Sequence, residues 1–126
     1  MSAPHIDHDS APWWDGLRLH EVVVQECSVC TRHWLPRTPA CPYCGAGSPK
    51  DQPISGHGVV YSFVRAHRAM SEAMAAEAPY TIATIDLDGG GRVFARVEGG
   101  CVIGQRVTPQ FVDHDTWTEL RYSESR

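Results

Sequence analysis

Two Cys-x₂-Cys pairs, Cys27-Ser28-Val29-Cys30 and Cys41-Pro42-Tyr43-Cys44, set the tightest limit on what this chain can fold into. A turn of this kind hands two thiolates to one ion without straining the backbone, and two such turns complete the tetrahedral shell that Zn²⁺ prefers. The ten residues between the pairs suffice for an outgoing and a returning arm. Gly45 follows the second pair and permits the positive φ that turns backbone N–H groups toward sulfur. Thr31 holds the matching place after the first pair, so the first turn is expected to be looser. So short a segment buries too little apolar surface to fold alone, and metal binding, worth about 10–16 kcal/mol in small zinc modules, is expected to supply its folding energy. A redox dithiol, a rubredoxin-type iron site that would make the chain an electron carrier, and a catalytic zinc with an open position all compete with this reading. Four cysteine ligands favour the closed structural zinc site over these, and over a shell in which His33, close enough in sequence, replaces one cysteine.

Length and composition narrow the rest. A chain of 126 residues holds one ordinary domain, or a minimal module attached to a domain of about 70 residues. No run approaches the roughly 18 consecutive apolar residues of a membrane span, and the N-terminus is polar, so the protein is read as cytosolic, with no membrane partner. Five cysteines without a secretory signal are poorly explained by disulfides, because the cytosol keeps thiols reduced. The fifth, Cys101, is expected to be a small buried residue in a turn, since no histidine or acid flanks it to make it a nucleophile. A formal charge of −4 and a pI near 5.9 offer no global attraction to polyanions.

The chain divides into an N-terminal arm and short helix (1–19), a zinc ribbon with its linker (20–53) and a β-barrel domain (54–126). Ser10 is placed to cap the helix, with Pro12 in its first turn and Trp13, Trp14 and Leu17 as its apolar contacts, while Gly16 keeps it brief. Val22-Val23-Val24 predicts a strand leading into Cys27. Residues 45–53 carry two Gly, two Pro and no large apolar side chain, and read as a linker. Beyond it, strands are predicted at Val59–Val64, Tyr80–Leu87, Arg92–Val97, Arg106–Val112 and Thr116–Tyr122, with a bulge or bend near Gly56 and Gly58. Ala83, Ile85 and Leu87 share one face, Val93, Ala95 and Val97 another, and Gly89-Gly90-Gly91 joins the two strands as a hairpin turn rather than a phosphate loop. Five short strands with an insert after the first fit a five-stranded OB-fold. Met70, Ala73, Met74 and Glu77 give the insert helical spacing, as a plug in one barrel mouth or a lid.

No Ser/His/Asp arrangement, phosphate-cradling loop or persuasive carboxylate pair is present. Arg92-x-Phe94-x-Arg96 is the one feature that fits a single-stranded nucleic-acid binder, since OB-folds present aromatic and basic side chains on adjacent strands. A solvated strand face with Phe94 packed under the insert explains the same residues. Trp13, Trp14 and Trp34 are candidates for docking on a partner, or for local core.

Read together, Trp13-Trp14-Asp15-Gly16-Leu17, Gln25-Glu26-Cys27, Pro36-Arg37, Cys41-Pro42-x-Cys44-Gly45 and Ser55-Gly56-x-Gly58-x-Val60-Tyr61-Ser62-Phe63 form a recognisable series. Continued through His67-Arg68, Pro79-Tyr80-Thr81-Ile82-Ala83 and Asp86-Leu87-Asp88-Gly89, it resembles the domain of unknown function thirty-five family. The resemblance implies a rubredoxin-like zinc ribbon followed by an OB-fold. It also implies a non-catalytic accessory subunit, in a hetero-oligomer with a thiolase-superfamily enzyme (a thiolase or a lipid-transfer-protein-like aldolase) that acts on acyl-CoA thioesters, in some cases in steroid degradation. His67 and Arg68, after a strand end, are placed either to reach a partner's CoA channel, where arginine pairs with phosphate as a fork of donors, or to lie in a solvated loop. Thr31 where the family commonly has Gly, and Pro53 where an aromatic residue often stands, are the departures.

Overall fold

Alternating apolar residues and glycine-rich turns resolve, in a computed structural model of the chain, into two β units joined edge to core. The structure describes residues 3–68, 72 and 76–125. The first unit is a three-stranded antiparallel sheet of β1 (Val22–Glu26), β2 (His33–Trp34) and β3 (Lys50–Ile54), in the order β2-β1-β3. The second is a closed barrel of β4 (Gly58–Ala66), β5 (Tyr80–Leu87), β6 (Arg92–Glu98), β7 (Arg106–Asp113) and β8 (Thr118–Glu124), in the order β4-β5-β6-β8-β7. Mostly β structure, with a ribbon ahead of a five-stranded OB-type barrel, is the expected architecture. No helix among the described residues is long and apolar enough to cross a membrane.

Period-two patterning builds the barrel wall. On β5, Ala83, Ile85 and Leu87 turn inward and are buried; on β6, Ala95 and Val97 do the same. Fully burying a side chain such as Ile85 is worth about 1.5–3 kcal/mol. β6 and β8 run parallel, Val97 opposite Tyr122, and β7 returns antiparallel along the whole of β8. The buried Tyr122 hydroxyl donates to the Gly56 carbonyl at 2.7 Å, closing the barrel onto the segment that enters it. The bulge or bend expected near Gly56 and Gly58 falls instead further along β4, as a register shift between Val60 and Ser62.

Helix α1 (Ala11–Arg18) closes one side of the barrel. Ser10 is its N-cap residue, yet its hydroxyl makes no cap bond: it accepts from the Asp7 N–H, while the Asp7 carboxylate accepts from the Ser10 N–H. At the other end the Arg18 guanidinium donates to the carbonyls of His114, Asp115 and Trp117, clasping the helix to the β7–β8 turn.

The segment expected to be a plain linker differs. Lys50–Ile54 pairs with Val22–Glu26 over the full length of β1, Ile54 opposite Val22 and Lys50 opposite Glu26. Pro53 is tolerated there because β3 is an edge strand, where no ladder donor is needed on the outer side. Val22 and Val24 of β1 sit in the same apolar cluster as Ile85 and Tyr122, so the ribbon grows out of the barrel core. The helix expected within 69–79 falls for the most part outside the described residues.

Gly90 fixes the second junction. It takes φ +122°, and a Cβ there would stand 2.6 Å from the His33 carbonyl oxygen. The β5–β6 hairpin therefore rests directly on β2, and the Arg92 N–H donates to the Leu35 carbonyl at 3.1 Å.

Candidate metal centre

Backbone turns bring the four thiols together before any metal is considered. Thr31 N–H donates to the Cys27 carbonyl at 3.1 Å and Gly45 N–H to the Cys41 carbonyl at 2.9 Å, so the two knuckles are built alike. Val29 and Cys30 direct their N–H groups at Cys27 Sγ, at 3.4 and 3.3 Å, and Tyr43 directs its own at Cys41 Sγ, at 3.4 Å. Thr31 adopts φ +64° and Gly45 φ +81°. The first turn is thus not the looser one: a β-branched residue accepts the left-handed conformation that glycine adopts freely, at a cost on the order of 1–3 kcal/mol.

All four sulfurs lie within 4.8 Å of one another. Cys27 and Cys44 are 3.5 Å apart, Cys30 and Cys41 3.7 Å. Zn–S bonds of about 2.3 Å in a tetrahedron put sulfurs about 3.8 Å apart, so the cluster fits that ion. Its proton balance points the same way. N–H groups of Cys30 and Val29 hold the Cys27 thiol down to about 6. The Ala46 N–H works to lower Cys44 too, but the neighbouring Cys27 sulfur and burial push it up to about 11. Four thiols cannot all ionise side by side unless a cation neutralises them, which a divalent metal does. Cys27 and Cys41 are buried with Trp34 in the ribbon's own small core, and Cys44 is exposed.

The arm between the knuckles is held by a side-chain chain of bonds. Gln25 accepts the Thr38 N–H at 2.7 Å, the Trp34 indole donates to the Thr38 hydroxyl at 2.9 Å, and that hydroxyl donates to the Ala40 carbonyl at 2.6 Å. Trp34 is thereby ribbon core and is not free to dock. His33 faces Glu26 at 3.1 Å and takes no part in the sulfur cluster.

Other sequence candidates scatter. His67 and Arg68 are exposed in the segment that leaves β4, far along the chain from the thiols. Cys101 is half-buried against the barrel core, and burial pushes its thiol up. Phe94 is 76% exposed, and the insert expected to pack over it lies for the most part outside the described residues. Its flanking arginines are already engaged, Arg92 with Asp86 at 2.6 Å and Arg96 with Glu77 at 3.2 Å. Both cations of that strand face are thus drawn toward carboxylates of the chain itself.

Two features had no local signal in sequence. A shallow groove of about 220 Å³ runs between α1 and the barrel, lined among others by Trp13, Trp14, Tyr80, Ile82, Phe94 and Trp117. Trp14 meets Trp117 edge to face, ring centres 6.0 Å apart. Beside it, Glu119 is buried between His114 at 3.0 Å and Arg121 at 2.9 Å, and Arg121 reaches on to Glu98 at 2.7 Å. Burial opposes the Glu119 charge, but the hydrogen bonds from Arg121 and His114 outweigh it and hold the carboxyl below its ordinary value.

Comparisons with known proteins agree with this architecture. Residues 14–49 match the model described as the ChsH2 rubredoxin-like zinc ribbon domain, and residues 51–112 that described as the ChsH2 C-terminal OB-fold domain. The chain superimposes on a chain of an "Ltp2-ChsH2(DUF35) aldolase" with a TM-score of 0.85 and 28% identity, covering 97% of this chain and 98% of that one. A DUF35-family protein of unknown function from Sulfolobus solfataricus shares the fold, with a TM-score of 0.67 and 17% identity over 94% of this chain and 86% of that one. Among curated relatives, a probable enoyl-CoA hydratase alpha subunit from Thermomonospora curvata is 32% identical over 76% of this chain and 30% of its own length. The 3-oxo-4,17-pregnadiene-20-carboxyl-CoA hydratase alpha subunit of Mycobacterium tuberculosis is 30% identical over 94% of this chain and 38% of its own. The chain thus spans about a third of the length of the curated relatives it matches.

Proposed function

The chain belongs to the DUF35 family, with its ChsH2-type zinc ribbon and OB-fold, and from that premise we propose that it is an accessory subunit of an acyl-CoA-processing enzyme. The partner of this reading is a thiolase-superfamily enzyme, either a thiolase or a lipid-transfer-protein-like aldolase, and the reacting groups are the partner's. One observation carries it: near end-to-end likeness to a chain whose structure is titled an Ltp2-ChsH2(DUF35) aldolase. The names of both curated relatives, a hydratase alpha subunit in each case, point to acyl-CoA substrates and hetero-oligomers, and one of them to steroid side chains.

The residues support a carrier of structure, not of chemistry. Cys27, Cys30, Cys41 and Cys44 would hold Zn²⁺, which supplies the cross-link that keeps the ribbon's arms together. With four protein sulfurs in the shell, no position is left for substrate. Among the described residues Glu119, the one buried carboxylate, is committed to Arg121 and His114. His67 and Arg68 stand exposed at the end of β4, where Arg68 would meet a phosphate of the partner's acyl-CoA.

The test is co-purification of the tagged chain with its partner from the native host, followed by acyl-CoA turnover of the partner with and without it. Loss of turnover or of soluble partner without the chain is expected. A chain that stays monomeric and leaves every thiolase-like candidate unaffected defeats the reading.

A further inference from the structure

We propose that the open edge of β4, from Tyr61 to Ala66, receives an extended, carboxylate-bearing strand of the enzyme subunit. The proposal rests on the accessory-subunit reading and names the surface that reading leaves open.

Backbone pairing defines the site. β5 covers one side of β4 along its whole length, from Gly58 to Ala66. On the other side β7 reaches only Gly58 and Val59, and Val60 is met by Gly104 and Gln105. The register shift at Val60/Ser62 turns the strand away from β7, as a bulge does. Beyond it, no described residue pairs with that side, which leaves the N–H and C=O groups of about three residues without a ladder partner among the described residues.

Proteins blunt such edges with lysine, proline, charge or brevity. The ribbon of this same chain does so: β2 has two residues, and β3 reads Lys-Asp-Gln-Pro-Ile. β4 carries none of these protections along Tyr61-Ser62-Phe63-Val64, and Arg65 is its one charge. The surrounding surface is apolar as well. Of the ten large hydrophobic residues exposed among the described residues, Tyr61, Phe63 and Val64 lie on this strand, and Val102 and Ile103 precede the Gly104 that bonds to Val60. Half of the exposed apolar side chains at one strand end mark a surface built to be covered.

Charge selects the occupant. Arg65 reaches the Thr81 hydroxyl at 3.4 Å and forms no ion pair with any described residue. A second copy of the chain is a poor cover, because residues 58–71 contain no Asp or Glu and would bring only another Arg65, His67 and Arg68 to the interface. A strand with a carboxylate opposite Arg65 satisfies both the backbone edge and the cation. Arg68, two residues beyond the strand, is left to the acyl-CoA contact.

Amide hydrogen exchange on the chain, alone and in the complex with the subunit that co-purifies from the native host, tests this. Complex formation is expected to slow exchange within 61–66 at least about tenfold. Arg65→Glu is expected to weaken assembly at least about tenfold, with Arg65→Lys near wild type and the melting temperature of the free chain unchanged in both. A complex that forms while 61–66 exchange as in the free chain overturns the proposal and leaves the accessory reading standing. Protection of 61–66 in a homodimer of the free chain overturns it in favour of a second copy. Failure of any subunit to co-purify removes the accessory reading itself.

Discussion

The ribbon and the barrel are both small β structures, yet they are held together by different physics. The barrel core gathers twelve buried residues from five strands, α1 and β1, among them Ile85, Val107, Leu120 and Tyr122. The ribbon core holds three, Cys27, Trp34 and Cys41, and two of these belong to the cluster of four thiols placed to hold a metal ion. Where apolar burial is ample the chain spends its residues on period-two alternation. Where it is scarce, four thiols and a run of side-chain hydrogen bonds through Gln25, Trp34 and Thr38 take over. Between them β1 belongs to both: Val22 and Val24 enter the barrel cluster, and the next turn begins the sulfur site.

Metal removal separates the two regions most sharply. Chelation forfeits about 10–16 kcal/mol of binding energy, so amide NMR signals from 27–49 are expected to collapse while those of β4–β8 persist. Joint loss of both sets would show that the barrel too depends on the metal. The converse is Ile85→Ala, expected to cost the barrel about 2–5 kcal/mol in a denaturant titration while bound zinc stays at one per chain. At the junction, Gly90→Ala combines a disfavoured φ with a clash against the His33 carbonyl, and should lower stability by about 1–3 kcal/mol. Its check is the chemical shift of Leu35, which moves if the hairpin lifts off β2. A gain is expected from Thr31→Gly: relief of the left-handed threonine should slow zinc loss to a chelator severalfold and leave barrel melting unchanged.

The mildest prediction concerns acid. Glu119 has its folded carboxyl below the ordinary value of 4.5, so its contribution is fully present above that value and is lost as pH falls through the lowered one. Stability measured from pH 6 to about 3 should therefore decline for wild type and follow a flatter line for Glu119→Gln. Equal slopes would remove Glu119 from the acid response.

How much of this was legible in the sequence depends on the range of the interactions. The sulfur site was readable because its information is local: two short spacings bring four thiols together. The β5–β6 hairpin was readable because alternation and three consecutive glycines specify it without outside help. β3 was not, since Lys50–Pro53 has poor strand propensity and is held by backbone bonds to Val22–Glu26, far away in the chain. Thr31 was misjudged because its φ is imposed by the sulfur-directed N–H groups around it, not by its own preference. The Glu119 network and the open side of β4 are equally non-local. One draws Glu98 and Arg121 together across the parallel β6–β8 pair, and the other exists because β7 stops short.

The position of β8 also carries a consequence for how the molecule is made. It is the last of the barrel's five strands in chain order, and it is bonded to β6 on one side and β7 on the other. A ribosome must therefore release β8 before the cylinder can shut, whereas the four ribbon thiols have all emerged by Cys44. Loading of the ion can precede closure, so the nascent chain gains a rigid head while its body is still an open ribbon of strands.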